Sequence, residues 1–175
     1  MIAVVQGDLV DVAAGAVMRP VAADFSAVTA AMRRLDLAAG PAVAAQCGQI
    51  GELPLGSAVV TAAGELPVQF LVHVAVRSQE ELVTGATVRR GILNGLRRLT
   101  EWEIESVAMP LLGTGAGNLD AEEAAQILVS VLADHLARNA FPKRVMIVVE
   151  NEYERTAAER ALAGSALRTG TESDA

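Results

Sequence analysis

Short apolar runs alternate along this chain with stretches whose apolar residues return every three or four positions. Ile2 to Val5, Ser57 to Thr61, Gln69 to Val76, Val107 to Leu112 and Val145 to Val149 have the length and composition of strands. Ala14 to Met18 reads as a further strand, stopped by Arg19-Pro20. The helical spacing runs through Val28, Ala31, Met32 and Leu35, with Asp24 as N-cap and Gly40 near the end. It returns in Val88, Ile92, Leu96 and Leu99, with arginines on the opposite side, and in Leu128, Val131, Leu132 and Leu136 before Pro142. Asn151 begins a last helix, and Asn151-x-x-Glu154 has the form of a capping box. Strands that alternate with helices predict an α/β sandwich with a largely parallel sheet. Residues 1–163 read as one domain, and the small, polar stretch 164–175 as a disordered tail.

Composition narrows the functional classes. Apolar residues make up 52% of the 175 and aromatics only 3%, so Ala, Val and Leu carry the burial. No apolar run approaches the roughly 20 residues that cross a bilayer, and the N-terminus lacks a basic signal-like start, which predicts a cytoplasmic protein with no membrane partner. The single cysteine, Cys47, excludes an internal disulfide. With His73 and His135 it offers no zinc spacing, so neither a metal nor a resident cofactor is expected. A net charge of -7 argues against duplex nucleic acid, and Arg33, Arg34, Arg89, Arg90, Arg97 and Arg98 read as polar helix faces. Cys47 and His73 read as core residues.

The segment "PLLGTGAGNLDAEEAA", Pro110 to Ala125, stands apart. Gly113, Gly115 and Gly117 allow positive φ and close approach of a ligand to the backbone. They lead into a helix whose first N–H groups attract anions, and Asp120 with Glu123 is a capping pattern for it. The loop therefore reads as a phosphate cradle, with a structural turn as the alternative. It has no Gly-Lys-Ser/Thr, so it is not a P-loop. A dinucleotide fingerprint fails as well, because the motif lies late in the chain and its last glycine position is Asn118. Gly7-Asp8, Arg19 to Asp24 and Gly113 to Asn118 all follow expected strands and are expected to share one crevice at their carboxyl ends.

Five stretches in this order resemble the macro domain, a fold that binds ADP-ribose, and the resemblance covers residues 2–163. They are Gly7-Asp8-Leu9, Ala38-Ala39-Gly40-Pro41, Gly56-Ser57-Ala58-Val59-Val60-Thr61, Leu71-Val72-His73-Val74 and Pro110 to Leu119. The resemblance implies a three-layer α/β/α sandwich with a mixed, largely parallel central sheet. It implies that Asp8 accepts a hydrogen bond from the adenine amino group, helped by the Leu9 backbone. Gly113, Thr114, Gly115, Ala116, Gly117 and Asn118 would hold the diphosphate and reach the distal ribose. Val149 and Asn151 fall where the family packs a side chain against adenine.

One stretch departs from the family. Its Asn-Ala-Ala-Asn and glycine run correspond here to Met18 to Met32, where Val21 falls near the second Asn and Ala22-Ala23-Asp24-Phe25-Ser26 replaces the glycine run. The position of the catalytic Asp of hydrolytic members falls on Ala31 or Met32. Neither Val21 nor Ala31 can orient or activate water. Asp24, the one nearby acid, reads as an N-cap, with a catalytic base as its alternative. Arg19 is either a partner for a ligand phosphate or carboxylate or an exposed loop residue. The expectation is a binding module for ADP-ribose or a related adenine diphosphate, free or on an ADP-ribosylated protein. An ADP-ribosyl or O-acetyl-ADP-ribose hydrolase with an unorthodox loop and a degenerate scaffold for protein interaction are the alternatives.

Overall fold

A computed structural model of the chain describes residues 1–115 and 119–170. Six strands form one sheet: β1 (Ile2–Gln6), β2 (Ala16–Ala22), β3 (Ala58–Ala62), β4 (Phe70–Arg77), β5 (Ser106–Met109) and β6 (Arg144–Val149). Their order is β1-β6-β5-β2-β4-β3. Every neighbouring pair is parallel except β3 with β4, so the sheet is mixed and largely parallel. Helices α1 (Ala30–Ala39) and α2 (Pro41–Ile50) pack together on one face. Helices α3 (Gly85–Glu101), α4 (Ala121–Leu136) and α5 (Glu152–Ala163) pack in sequence on the other. Covered from both sides, β2 is buried at all seven residues, which is why the strands read as unbroken apolar runs rather than alternating ones.

The helix starts are set by side-chain caps. Thr29, Thr84, Asp120 and Asn151 each accept a hydrogen bond from the backbone N–H three residues on. The expected capping box is half formed. Asn151 accepts from Glu154 N at 2.9 Å, but the Glu154 carboxylate turns back to Glu150 N.

Four features differ from expectation. Strand β2 does not stop at Arg19-Pro20 but continues to Ala22. Its ladder with β5 ends at Val17↔Ala108, so Pro20 lies where that edge is already unpaired and a missing N–H is tolerated. Helix α1 begins after Thr29 rather than at Asp24, because residues 22–26 close a tight turn in which Ala22 N donates to Ser26 O at 3.0 Å. Helix α2 was not legible, since its alanine-rich sequence buries only Val43 and Cys47 and gives no clear stripe. The segment expected as a tail is laid along β1 as far as Gly170. Ile2 N donates to Arg168 O at 3.0 Å and Gly170 N to Ile2 O at 2.9 Å, which covers an otherwise open sheet edge. Among the described residues no helix is long and apolar enough to cross a membrane.

Candidate functional site

A cleft opens beyond the carboxyl ends of β1, β6, β5 and β2, the position at which open α/β sheets take ligands. Gly7, Asp8 and Leu9 enter it from β1, and Pro20 from β2. Pro110, Leu111, Thr114 and Gly115 follow β5, while Val148, Glu150 and Glu154 come from β6 and the start of α5. Thr29, Ala30, Ala31 and Met32 contribute the beginning of α1.

One part of the cleft is built around Asp8. Its Oδ1 accepts from Val10 N at 3.2 Å, capping a single 3-10 turn at Leu9–Asp11 that holds the carboxylate in place. Its Oδ2 accepts from Arg34 Nε at 2.8 Å. The same guanidinium donates through Nη2 to Glu150 Oε1 at 2.6 Å. Hydrogen bonds to Glu150 and Asp8 push the Arg34 pKa up, so this cation is permanent. Two carboxylates from different segments are thus tied by one arginine.

The other part is made of backbone. Thr29 Oγ1 accepts from Met32 N at 3.2 Å, which leaves the N–H groups of Ala30 and Ala31 as the donors of the first helical turn. With the positive end of the helix dipole, they favour an anion in the cleft. Gly115 sits beside them at φ +71, and a Cβ there would lie 3.1 Å from Thr29 Cγ2. Gly113 is also left-handed, at φ +97, for a different reason. A Cβ on it would come within 2.6 Å of Leu119 Cδ1, so it is a packing glycine beneath the loop.

Arg19 is not at this cleft. It is 2% exposed, with Nε donating to His73 Nδ1 at 3.0 Å and Nη1 paired with Asp36 on α1. Because Nδ1 accepts, the His73 proton is on Nε2, facing Thr61 Oγ1 at 2.8 Å, and the Thr61 hydroxyl in turn donates a hydrogen bond to Ala62 O. Burial and the neighbouring Arg19 bring the His73 pKa down to about 3, so the ring is neutral. Phe25 stacks its edge on the ring at 5.3 Å. Cys47, near Arg19 and Asp36, has its thiol pKa pushed up by burial and is not an activated nucleophile.

Asp24 is likewise outside the cleft. Its Oδ1 accepts from Ser26 Oγ at 2.6 Å and Ser26 N at 3.0 Å, and these bonds lower its pKa. It closes the turn after β2 and caps no helix. A carboxylate so held is a weak base. Among the described residues no group of three or more His, Cys, Asp or Glu is placed to hold a metal ion.

The profile of the macro domain matches residues 27–128, more than half of the chain. The chain belongs to the macro domain family. An O-acetyl-ADP-ribose deacetylase of Escherichia coli (strain K12) is 31% identical over 173 residues, covering 91% of this chain and 93% of the relative. The fold of this macro domain is similar to that of the Oceanobacillus iheyensis macrodomain with ADP, at TM-score 0.80 and 19% identity, covering 91% of this chain and 88% of that one. It is also similar to the Trypanosoma brucei macrodomain in complex with ADP-ribose, at TM-score 0.83 and 16% identity, covering 92% and 68% of the two chains.

Within this macro domain the cleft unites Asp8, Leu9, Thr114 and Gly115 and leaves other expected positions out. Arg19, Val21 and Ala22 are all buried in β2. Val149 is fully buried, with its carbonyl taking Gly7 N at 3.1 Å, and Asn151 is spent as the cap of α5. Strand parity explains the slip, because alternate residues face opposite ways and Val148 and Glu150 are the ones at the cleft. Ala116, Gly117 and Asn118 lie outside the described residues. Sequence reasoning placed Ala31 and Met32 at the family's catalytic position but missed Thr29 as the cap that brings the start of α1 to the cleft, because Asp24 was the more conspicuous capping residue. It missed Arg34 as well, taken for one arginine among several on polar faces.

Proposed function

We propose that this macro domain binds ADP-ribose or a closely related adenine diphosphate. The observation that carries the reading is the meeting, in one cleft, of a held carboxylate at Asp8 with the start of α1 and the left-handed Gly115. A carboxylate offers about four lone-pair sites. Val10 and Arg34 take two, which leaves acceptors for the adenine amino group. The Ala30 and Ala31 N–H groups and the loop through Ala116, Gly117 and Asn118 would hold the diphosphate and direct the distal ribose along the loop. An ADP-ribosylated protein presents the same group and would enter the same cleft. The solved macrodomains with ADP and with ADP-ribose support the reading.

Calorimetric titration tests it. ADP-ribose should bind at least about tenfold more tightly than AMP, which lacks the second phosphate and distal ribose, since each charge-assisted hydrogen bond lost costs roughly 1.5–3 kcal/mol. Equal affinities, or no heat from ADP-ribose, would remove the proposal.

The similarity to O-acetyl-ADP-ribose deacetylases favours a second reading, hydrolysis of the bound ligand. Ester cleavage needs a group that positions or deprotonates water. The acids lining the described cleft are Asp8, Glu150 and Glu154. The first two are paired to Arg34, and Glu154 accepts from Glu150 N at 2.9 Å. Loss of general acid–base help costs about 10²–10⁴-fold in rate. We therefore expect O-acetyl-ADP-ribose to persist during hours with excess protein, followed by chromatography of the nucleotide. Complete release of acetate within minutes would make the chain a hydrolase.

A further inference from the structure

The strand order fixes what lies between the two ends of the proposed ligand. Asp8 follows β1, Gly115 follows β5, and β6 runs between those strands in the sheet. A ligand with its base at Asp8 and its diphosphate at Gly115 and the start of α1 lays the joining sugar over the carboxyl end of β6. In an adenine diphosphate that sugar is the ribose next to adenine, with its neighbouring 2′- and 3′-hydroxyls. Val148, Glu150 and Glu154 line this stretch of the cleft. The Glu154 carboxylate is held in place, because Oε2 accepts from Glu150 N at 2.9 Å and so sits on the end of the strand. Its Oε1 has no partner among the described residues. No Lys, Arg or His is among the described lining residues, and Arg34 at the rim is already shared by Asp8 and Glu150.

We infer that Glu154 is a specificity-determining binding residue, which accepts a hydrogen bond from the adenosine ribose and restricts the cleft to ligands whose 2′-hydroxyl is free. In nucleotide sites an acidic side chain beside the ribose suits a free 2′-hydroxyl, whereas a 2′-phosphate is accommodated by a cation. A carboxylate oxygen accepts and cannot donate, so it pairs with a hydroxyl and has nothing to offer a phosphate. A 2′-phosphate would also set its charge against Glu150 and Glu154, with no cation in the described lining to offset it. The two ends of the cleft thus differ in sign. The N–H groups of α1 draw the diphosphate, and the β6 end draws hydroxyls, which sets the direction in which the ligand lies. This inference rests on the proposed ADP-ribose reading and deepens it by naming which form of the nucleotide is admitted.

Glutamine separates the two tasks of Glu154, because its amide oxygen can keep the bond to Glu150 N while its NH₂ replaces the free oxygen. ADP-ribose and ADP-ribose 2′-phosphate are each titrated into wild type and Glu154→Gln, with thermal melts to show that both are folded. Wild type is expected to bind ADP-ribose at least about tenfold more tightly than the 2′-phosphate. In Glu154→Gln that preference should shrink to about threefold or less. A preference unchanged in the variant would remove Glu154 from the ribose. Equal affinities in wild type, or tighter binding of the 2′-phosphate, would mean that the end of β6 does not read the sugar. Titration of 2′-deoxy-ADP-ribose into wild type needs no variant. It should bind more weakly than ADP-ribose, and equal affinity would overturn the assignment. If wild type gives no heat with ADP-ribose, the ADP-ribose reading itself fails, and the assignment of Glu154 falls with it.

Discussion

Gly115→Val should abolish binding of ADP-ribose in a chain that still folds. Gly115 adopts φ +71, where a β-branched residue is a genuine outlier, and the residue is exposed, so no core depends on it. A Cβ at this position lies 3.1 Å from Thr29 Cγ2, and the two γ-methyl groups of valine add bulk on the same side. Thr29 caps α1, so relief of that contact moves the turn bearing the Ala30 and Ala31 N–H groups, or else the loop backs away from them. Either movement separates the two walls of the anion site. Backbone strain of about 1–2 kcal/mol is tolerable against a typical folding stability of about 5–15 kcal/mol. Titration of the variant at concentrations that saturate wild type should give no heat, and its melting should remain cooperative. Wild-type affinity would mean that the loop is a structural turn.

Much of the architecture was legible because local signals and burial agree. The apolar runs of β1, β3, β4, β5 and β6 were visible, and Asp120 and Asn151 announced the starts of α4 and α5. The positions of Asp8, Thr114 and Gly115 at the cleft were legible because turn residues and glycines that follow a strand mark its carboxyl end. What escaped was decided by long-range geometry. Arg19 looked like a loop residue because nothing local reveals that His73, 54 positions away, and Asp36 satisfy it inside the sheet. Val149 and Asn151 were one residue out of phase, and an all-apolar strand buried on both faces carries no parity signal to correct that. Arg34 could not be singled out from Arg33. Both lie on the polar side of one helix, and only the approach of Asp8 and Glu150 from distant strands distinguishes them.

The buried polar network predicts acid sensitivity that a His73→Gln variant should lack. His73 is fully buried in β4, with Arg19 directly across the β2–β4 ladder. Its pKa of about 3 in the folded chain reflects burial first and the Arg19 charge second. An unfolded histidine titrates near 6.5, at roughly its ordinary value. The sign follows from proton counting. Above pH 6.5 neither state holds the proton and His73 costs nothing. Below that, the unfolded chain gains a proton that the folded chain refuses until pH nears 3, so stability falls by about 1.4 kcal/mol per pH unit. Between pH 6.5 and 5, before carboxylates enter, the wild type should lose about 2 kcal/mol in urea unfolding from this group. His135, whose pKa is also lowered by burial, adds loss in the same direction in both proteins and cancels in the comparison. Glutamine keeps an acceptor for Arg19 and a donor for Thr61 but cannot titrate. The variant should therefore start less stable at pH 7, through imperfect packing, and show a visibly flatter decline to pH 5. Parallel pH profiles would mean that the folded chain opens enough to protonate His73, and that the Arg19–His73 contact is not the rigid joint between β2, β4 and α1.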